Sequence, residues 1–141
     1  MKIKCTIVLL CMVMLSVGIV CSAEEVMGEQ TYISEYQGKK YVASMPSSVL
    51  INSPDFEDSS TTLPKSLKDI VAVAKIQLDK ITKADQTWEL HSITFNQWCI
   101  GKKKWYYAVG FQSKSNQYIT ILVTIDGRLG IIKEISEKII D

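Results

Sequence analysis

The chain has 141 residues, 47% of them hydrophobic, with 16 basic against 15 acidic side chains and one histidine. That length suits one hydrophobic core, and the near-neutral balance excludes the strongly basic face that a nucleic-acid or polyanion partner requires. Four cysteines are present, and their positions decide what they can do.

Lys2 and Lys4 precede an uncharged, apolar run from Ile7 to Val20, which ends at the small residues Ser22 and Ala23 before Glu24 and Glu25. A positive start, a short apolar stretch and a small-residue end are the layout of a secretory signal. Residues 1–23 are predicted to be a signal peptide cleaved after Ala23, so that the mature chain works in the periplasm or is secreted, with no stable membrane insertion. Two alternatives are an uncleaved anchor, for which the run is short, and a lipoprotein modified at Cys21, although Val20 stands where that processing wants a small residue. Cleavage removes Cys5, Cys11 and Cys21 together with two lysines, and tips the charge from slightly positive to slightly negative. Cys99 is then alone, which rules out an internal disulfide and leaves a Cys99-linked dimer as the alternative to a free thiol.

Residues 24–64 carry only short apolar pieces, Tyr41 to Ala43 and Val49 to Ile51, broken by Gly38, Pro46 and Pro54. They read as an extended arm with one or two short strands and a loop. From Pro64 the pattern is clear. Ser66 with Asp69 three residues on is a capping start, and Leu67, Ile70, Val71, Ala74, Leu78 and Ile81 fall on one stripe. The spacing predicts an amphipathic helix over 67–83.

Beyond Asp85 the period becomes two, and strands are predicted over 87–97, 103–112, 117–125 and 128–133. Asp126-Gly127 is a hairpin signal, since glycine accepts positive φ. Setting Trp105, Tyr107, Val109 and Phe111 beside Ile119, Ile121, Val123 and Ile125 gathers both rows on one face, with Asn116 taking a left-handed conformation in the turn. Trp88 and Leu90 are out of phase with Ile93 and Phe95, which points to a bulge near His91 and Ser92. For the last strand, either Ile132 or the pair Leu129 and Ile131 faces inward. The expected fold is α+β: one long amphipathic helix on a four-stranded antiparallel meander, over 65–141, preceded by an irregular arm.

This order, carried by Trp105 to Val109 and by Ile125 to Leu129 with its Asp-Gly turn, resembles the PepSY-like units of exported proteins over residues 65–133. The resemblance implies a non-catalytic binding module of the sort found in protease propeptides and inhibitors, with no shared catalytic residues. Cystatins also wrap a sheet on a helix, but Tyr106 to Gly110 lacks the Gln-x-Val-x-Gly pattern of their hairpin.

Chemistry is sparse. His91 and Cys99 are eight residues apart, roughly 26 Å along a straight strand, too far for an imidazole to activate the thiol. Asp55, Glu57 and Asp58 lack the alternating ligands and glycine of a calcium loop. No metal site, cofactor cradle or nucleophile elbow is present, and the chain is not expected to be an enzyme. Lys102 to Lys104 reads as a solubilising turn or as a patch for an acidic partner. With the chosen register, Tyr106, Tyr118 and Leu122 point away from the helix and form the candidate partner-binding face, unless residues 49–51 cover it. The functional expectation is an exported, non-catalytic binding protein, an inhibitor or immunity-type partner of another exported protein. The alternative is a small-ligand carrier or enzyme with a pocket between helix and sheet.

Overall fold

A computed structural model describes residues 31–57, 62–84, 86–98 and 103–135. The predicted signal segment, Cys99, Asp58 and Lys102 lie outside the described residues.

The chain begins with a hairpin of β1 (Thr31–Tyr36) and β2 (Lys39–Ser44). Gln37 and Gly38 between them both take positive φ, at 52° and 73°, the two-residue turn whose twist suits paired strands. Pairing runs from Tyr36↔Lys39 to Thr31↔Ser44, which puts Tyr32, Ser34, Tyr36, Tyr41 and Ala43 in one inward row. Helix α1 (Ser47–Ile51) follows Pro46 and buries Leu50 completely.

Helix α2 (Leu67–Ile81) starts as its sequence directs. Ser66 Oγ accepts from the Asp69 amide at 3.2 Å and donates to Asp69 Oδ2 at 2.7 Å, satisfying an amide the helix cannot bond itself. Ile70, Ala74 and Leu78, spaced by four, are fully buried. Each large side chain so covered contributes about 1.5–3 kcal/mol relative to exposure. No helix among the described residues is long and apolar enough to cross a membrane.

Strands β3 (Trp88–Gln97), β4 (Trp105–Ser113) and β5 (Tyr118–Thr124) form an antiparallel meander. Tyr107↔Val123, Val109↔Ile121 and Phe111↔Ile119 set the aromatic and aliphatic rows side by side. Asn116 takes φ 59° in the intervening turn. The β3–β4 register slips between Leu90 and Ser92, where the phase break predicts a bulge.

The final strand breaks the expected topology. Gly127 takes φ 90° in the Asp-Gly turn, Leu129 bridges Val123, and the Gly130 amide donates to Leu122 O at 2.8 Å. The chain then leaves β5, and β6 (Ile131–Ile135) pairs with β2, with Ile132 opposite Ala43 and Lys133 opposite Val42. A Cβ on Gly130 would lie 2.7 Å from Ser44 O and 3.0 Å from Leu122 Cβ, so the crossing needs glycine.

The structure therefore corrects the expected architecture. Among the described residues there are six antiparallel strands in one sheet, ordered β3-β4-β5-β1-β2-β6, in place of the expected four-stranded meander. Only three belong to the meander, and the segment read as an irregular arm supplies two of the others. The turn at Asp126-Gly127 fixes a local reversal, but the partner of the next strand is set by β2, some 90 residues earlier, which local signals cannot report. Ile132 is half-buried, Ile131 is exposed and Leu129 packs against the core, so each expected orientation for this strand holds in part.

The sheet is covered on both sides. Val109, Phe111, Ile119, Ile121, Val123 and Ile125 lie against α2, joined by Tyr36, Tyr41 and Trp88. Tyr106, Ala108 and Leu122 lie on the other side, against Ala43, Met45 and Leu50. The inward row of the β1–β2 hairpin thus serves both cores, which requires the hairpin to wrap around the edge of β5. It touches that edge through the pair Glu35↔Tyr118 and through the Thr120 amide, which donates to Ser34 Oγ at 3.2 Å.

Candidate partner-binding face

The three residues expected to form a face are separated by their cover. Tyr106 is 1% exposed and Leu122 2% exposed, both beneath Leu50 and Met45. They do point away from α2, but the segment around residues 49–51 covers them, which is the alternative weighed from the sequence. Tyr118 stays at the surface, 45% exposed.

Tyr118 is placed by the turn that Asn116 makes. Gln112 Nε2 donates to Asn116 Oδ1 at 3.0 Å and also to the Tyr118 hydroxyl, which holds the ring at the start of β5. The bulge in β3 brings the His91 ring against it, with centroids 5.2 Å apart and planes at 74°. That is an edge-to-face arrangement of the kind aromatic rings prefer. Gly110 on the strand between carries no side chain, and Ser92 Oγ occupies the space, 2.5 Å from where a Cβ would stand.

Two open depressions flank Tyr118 and share Asn116. One, of about 320 Å³, is bordered by Glu89, His91, Gln112 and Lys114. The other, of about 310 Å³, is bordered by Ile33, Ser34, Glu35 and Gly38. Ile33 is 73% exposed, an extreme value for an isoleucine on a regular strand. Its neighbours across the sheet are Val42 and then Lys133. Ile131 beside Ser44 and Ile135 beside Lys40 extend the same face, and both isoleucines are exposed. The pair Glu35↔Tyr118 makes this surface continuous with the tyrosine. The result is a two-part face: an aromatic and polar half at Tyr118 and His91, and an aliphatic half with lysines on β1, β2 and β6.

The acidic loop and the lysine turn, read separately in the sequence, meet each other. Lys104 Nζ lies 2.8 Å from Asp55 Oδ1 and also donates to Ser53 O, while Lys103 pairs with Glu57. The hydrogen bond to Lys104 holds the Asp55 carboxyl below its ordinary value, and that to Glu57 raises Lys103. These charges tie the segment after α1 to the start of β4, and the Phe56 amide adds a bond to Lys103 O at 2.8 Å. Among the described residues, no three His, Cys, Asp or Glu side chains are grouped so as to hold a metal.

Ile33 and the aliphatic half escaped sequence reasoning. The one signal was Gln37-Gly38 between Tyr36 and Lys39, a two-residue turn that marks both flanks as strands. The chain matches no family model, no curated protein and no solved structure.

Proposed function

We propose that this chain is an exported, non-catalytic binding protein that recognises another extracytoplasmic protein through the face spanning Tyr118 and Ile33. One observation carries the reading: Ile33 and Tyr118 are both exposed on one sheet face, linked by the Glu35↔Tyr118 pair and bordering the same depression. Exposed apolar side chains grouped with an amphipathic aromatic and rimmed by charge are the composition of protein-recognition surfaces. The secretory layout of residues 1–23 supports the location. An inhibitor or immunity-type role fits a small sheet that offers an exposed face.

The test is capture from the extracytoplasmic fraction with the wild-type chain, Ile33→Lys and Tyr118→Ala, each checked for an unchanged melting temperature. A partner held by wild type and lost at least tenfold by both variants is expected. Equal retention by all three sinks the proposed face.

A specific observation favours the small-ligand alternative at another place. A cavity of about 600 Å³ opens where α2 meets β3, bordered by Lys75, Lys83, Gln86 and Trp88. Trp88 Nε1 and Gln86 Oε1 are buried with no hydrogen-bond partner among the described residues. The border also holds Asp79, 3.8 Å from Lys75, and a concave site edged by both charges suits a small polar ligand.

A further inference from the structure

The two edges of the sheet are protected unequally. Strand β6 is five residues long and carries Lys133 and Glu134, whereas β3 is ten residues long, has neither lysine nor proline, and bears one charge, Glu89. Natural sheet edges are blunted by charge, proline, shortness or bulges, because unpaired backbone groups recruit another strand. The bulge at His91 blunts only the first part of β3. Ser92 to Asn96 is regular, uncharged, and strand-paired on one side only among the described residues.

The direction of its backbone groups can be derived. The Trp98 amide donates to Lys104 O at 2.8 Å across the β3–β4 hairpin. Strand alternation then turns the amide and carbonyl groups of Asn96 and Thr94 toward β4, and those of Ile93 and Phe95 outward. The side chains of Ile93 and Phe95 lie on the α2 side of the sheet. Phe95 stacks on Trp105 and Tyr107, with both centroid distances 4.7 Å, and meets Phe56 edge-on at 5.7 Å. Helix α2 rests on β5 and β4, and Phe95 remains 36% exposed and Leu90 48% exposed. An apolar ribbon therefore runs along an edge that no further strand covers among the described residues.

We propose that β3 is a homodimerisation strand, in which Ser92 to Asn96 pairs antiparallel with the same segment of a second copy about a two-fold axis at Thr94. In this register Ile93 faces the partner's Phe95 and Phe95 faces the partner's Ile93. Each of these pairs exchanges two backbone hydrogen bonds, because both residues turn their amides outward. Aromatic with β-branched is a favourable cross-strand pair. Thr94 meets its own symmetry mate, Ser92 meets the partner's Asn96, and no like charges are opposed. A second copy is favoured over an unrelated segment because one register matches hydrogen bonding, apolar contact and charge at once, as isologous symmetry demands. The assembly is one continuous sheet of both copies, and it does not depend on the Tyr118 face.

Thr94 is exposed, so its substitution leaves the fold intact while acting on the axis. In the full exported chain carrying Cys99→Ser, sedimentation should show a concentration-dependent dimer. Thr94→Lys and Thr94→Glu, each placing like charges across the axis, should weaken it at least tenfold, and an equimolar mixture of the two should restore a dimer. Thr94→Cys should form an intermolecular disulfide under mild oxidation, since a non-hydrogen-bonded pair holds its Cα atoms about 4.5 Å apart, inside the range of about 4.4–6.8 Å that a disulfide spans. A chain that stays monomeric at all concentrations, or a dimer indifferent to both Thr94 charges, overturns the proposal. So does a β3 edge that takes up only extended segments of other proteins.

Discussion

Strand β4 carries two apolar rows that are buried equally and held differently. Tyr107, Val109 and Phe111 lie on the side of α2, fifteen residues with their own cap and a continuous stripe. Tyr106 and Ala108 lie beneath Met45 and Leu50, the second of which sits on a five-residue helix with no side-chain cap bond. The second cover is kept in place from outside, by Lys104 on Ser53 and Asp55 and by the Phe56 amide on Lys103 O. Depth of burial thus says little about how a cover is secured. A long helix brings its own determinants, whereas a short one borrows them from its neighbours.

The comparison breaks most visibly at the leucines. Leu78 and Leu50 are both fully buried, and Leu→Ala in a core costs about 2–5 kcal/mol. For Leu78→Ala the whole amount should appear as lost global stability in denaturant unfolding, because α2 cannot leave without exposing the main core. For Leu50→Ala the loss should be capped by local undocking of residues 45–53, visible as faster amide exchange around Tyr106 with a smaller shift in the unfolding midpoint. Equal global losses, with exchange unchanged near Tyr106, would show that both covers belong to one cooperative unit.

A smaller effect sharpens the contrast at the helix starts. Ser66→Ala removes the acceptor for the Asp69 amide and should cost about 0.5–2 kcal/mol, the range for lost N-caps. Ser47→Ala at the start of α1 should change stability by less than about 0.5 kcal/mol, as exposed sites without special contacts do. Thermal melts of the two variants measure the difference.

The same contrast explains what the sequence discloses. Helix α2, the bulge at His91, Asn116 in its turn and the β4–β5 register are legible because each is written within a few residues, as a cap, a phase break or a row of alternating side chains. The β1–β2 hairpin is obscured because Ile33 points to solvent while Ser34 points inward, which inverts the alternation that marks a half-buried strand. The partner of β6 is a matter of long-range packing at Gly130. At the candidate face, Tyr118 is identified by the register alone. Tyr106 and Leu122 have the same outward geometry, but their burial depends on α1, which lies more than fifty residues earlier and has no periodicity long enough to announce it.

The last and smallest effect concerns the charges that hold the lesser cover. Asp55 has its pKa lowered from 3.8, first by the hydrogen bond from Lys104. A carboxyl depressed in the folded state favours folding above its ordinary value, and that contribution disappears as pH falls through the lower, folded value. Lys103 is raised from 10.5 by its hydrogen bond to Glu57, so its contribution is full below that value and disappears as pH rises through the higher, folded one. Lys103, Glu57 and Asp55 are solvent-exposed and only Lys104 is partly buried, so salt screens both pairs and each effect is small. Lys104→Met should flatten the acid limb of a plot of melting temperature against pH and leave the alkaline limb alone, and Lys103→Met should do the reverse. Because Lys104 also donates to Ser53 O, its variant should sit lower at every pH, and the change in slope, not in height, reports the Asp55 pair. An acid limb unaltered by Lys104→Met would mean that α1 and its following loop are held by backbone bonds and packing, with the ion pairs as bystanders.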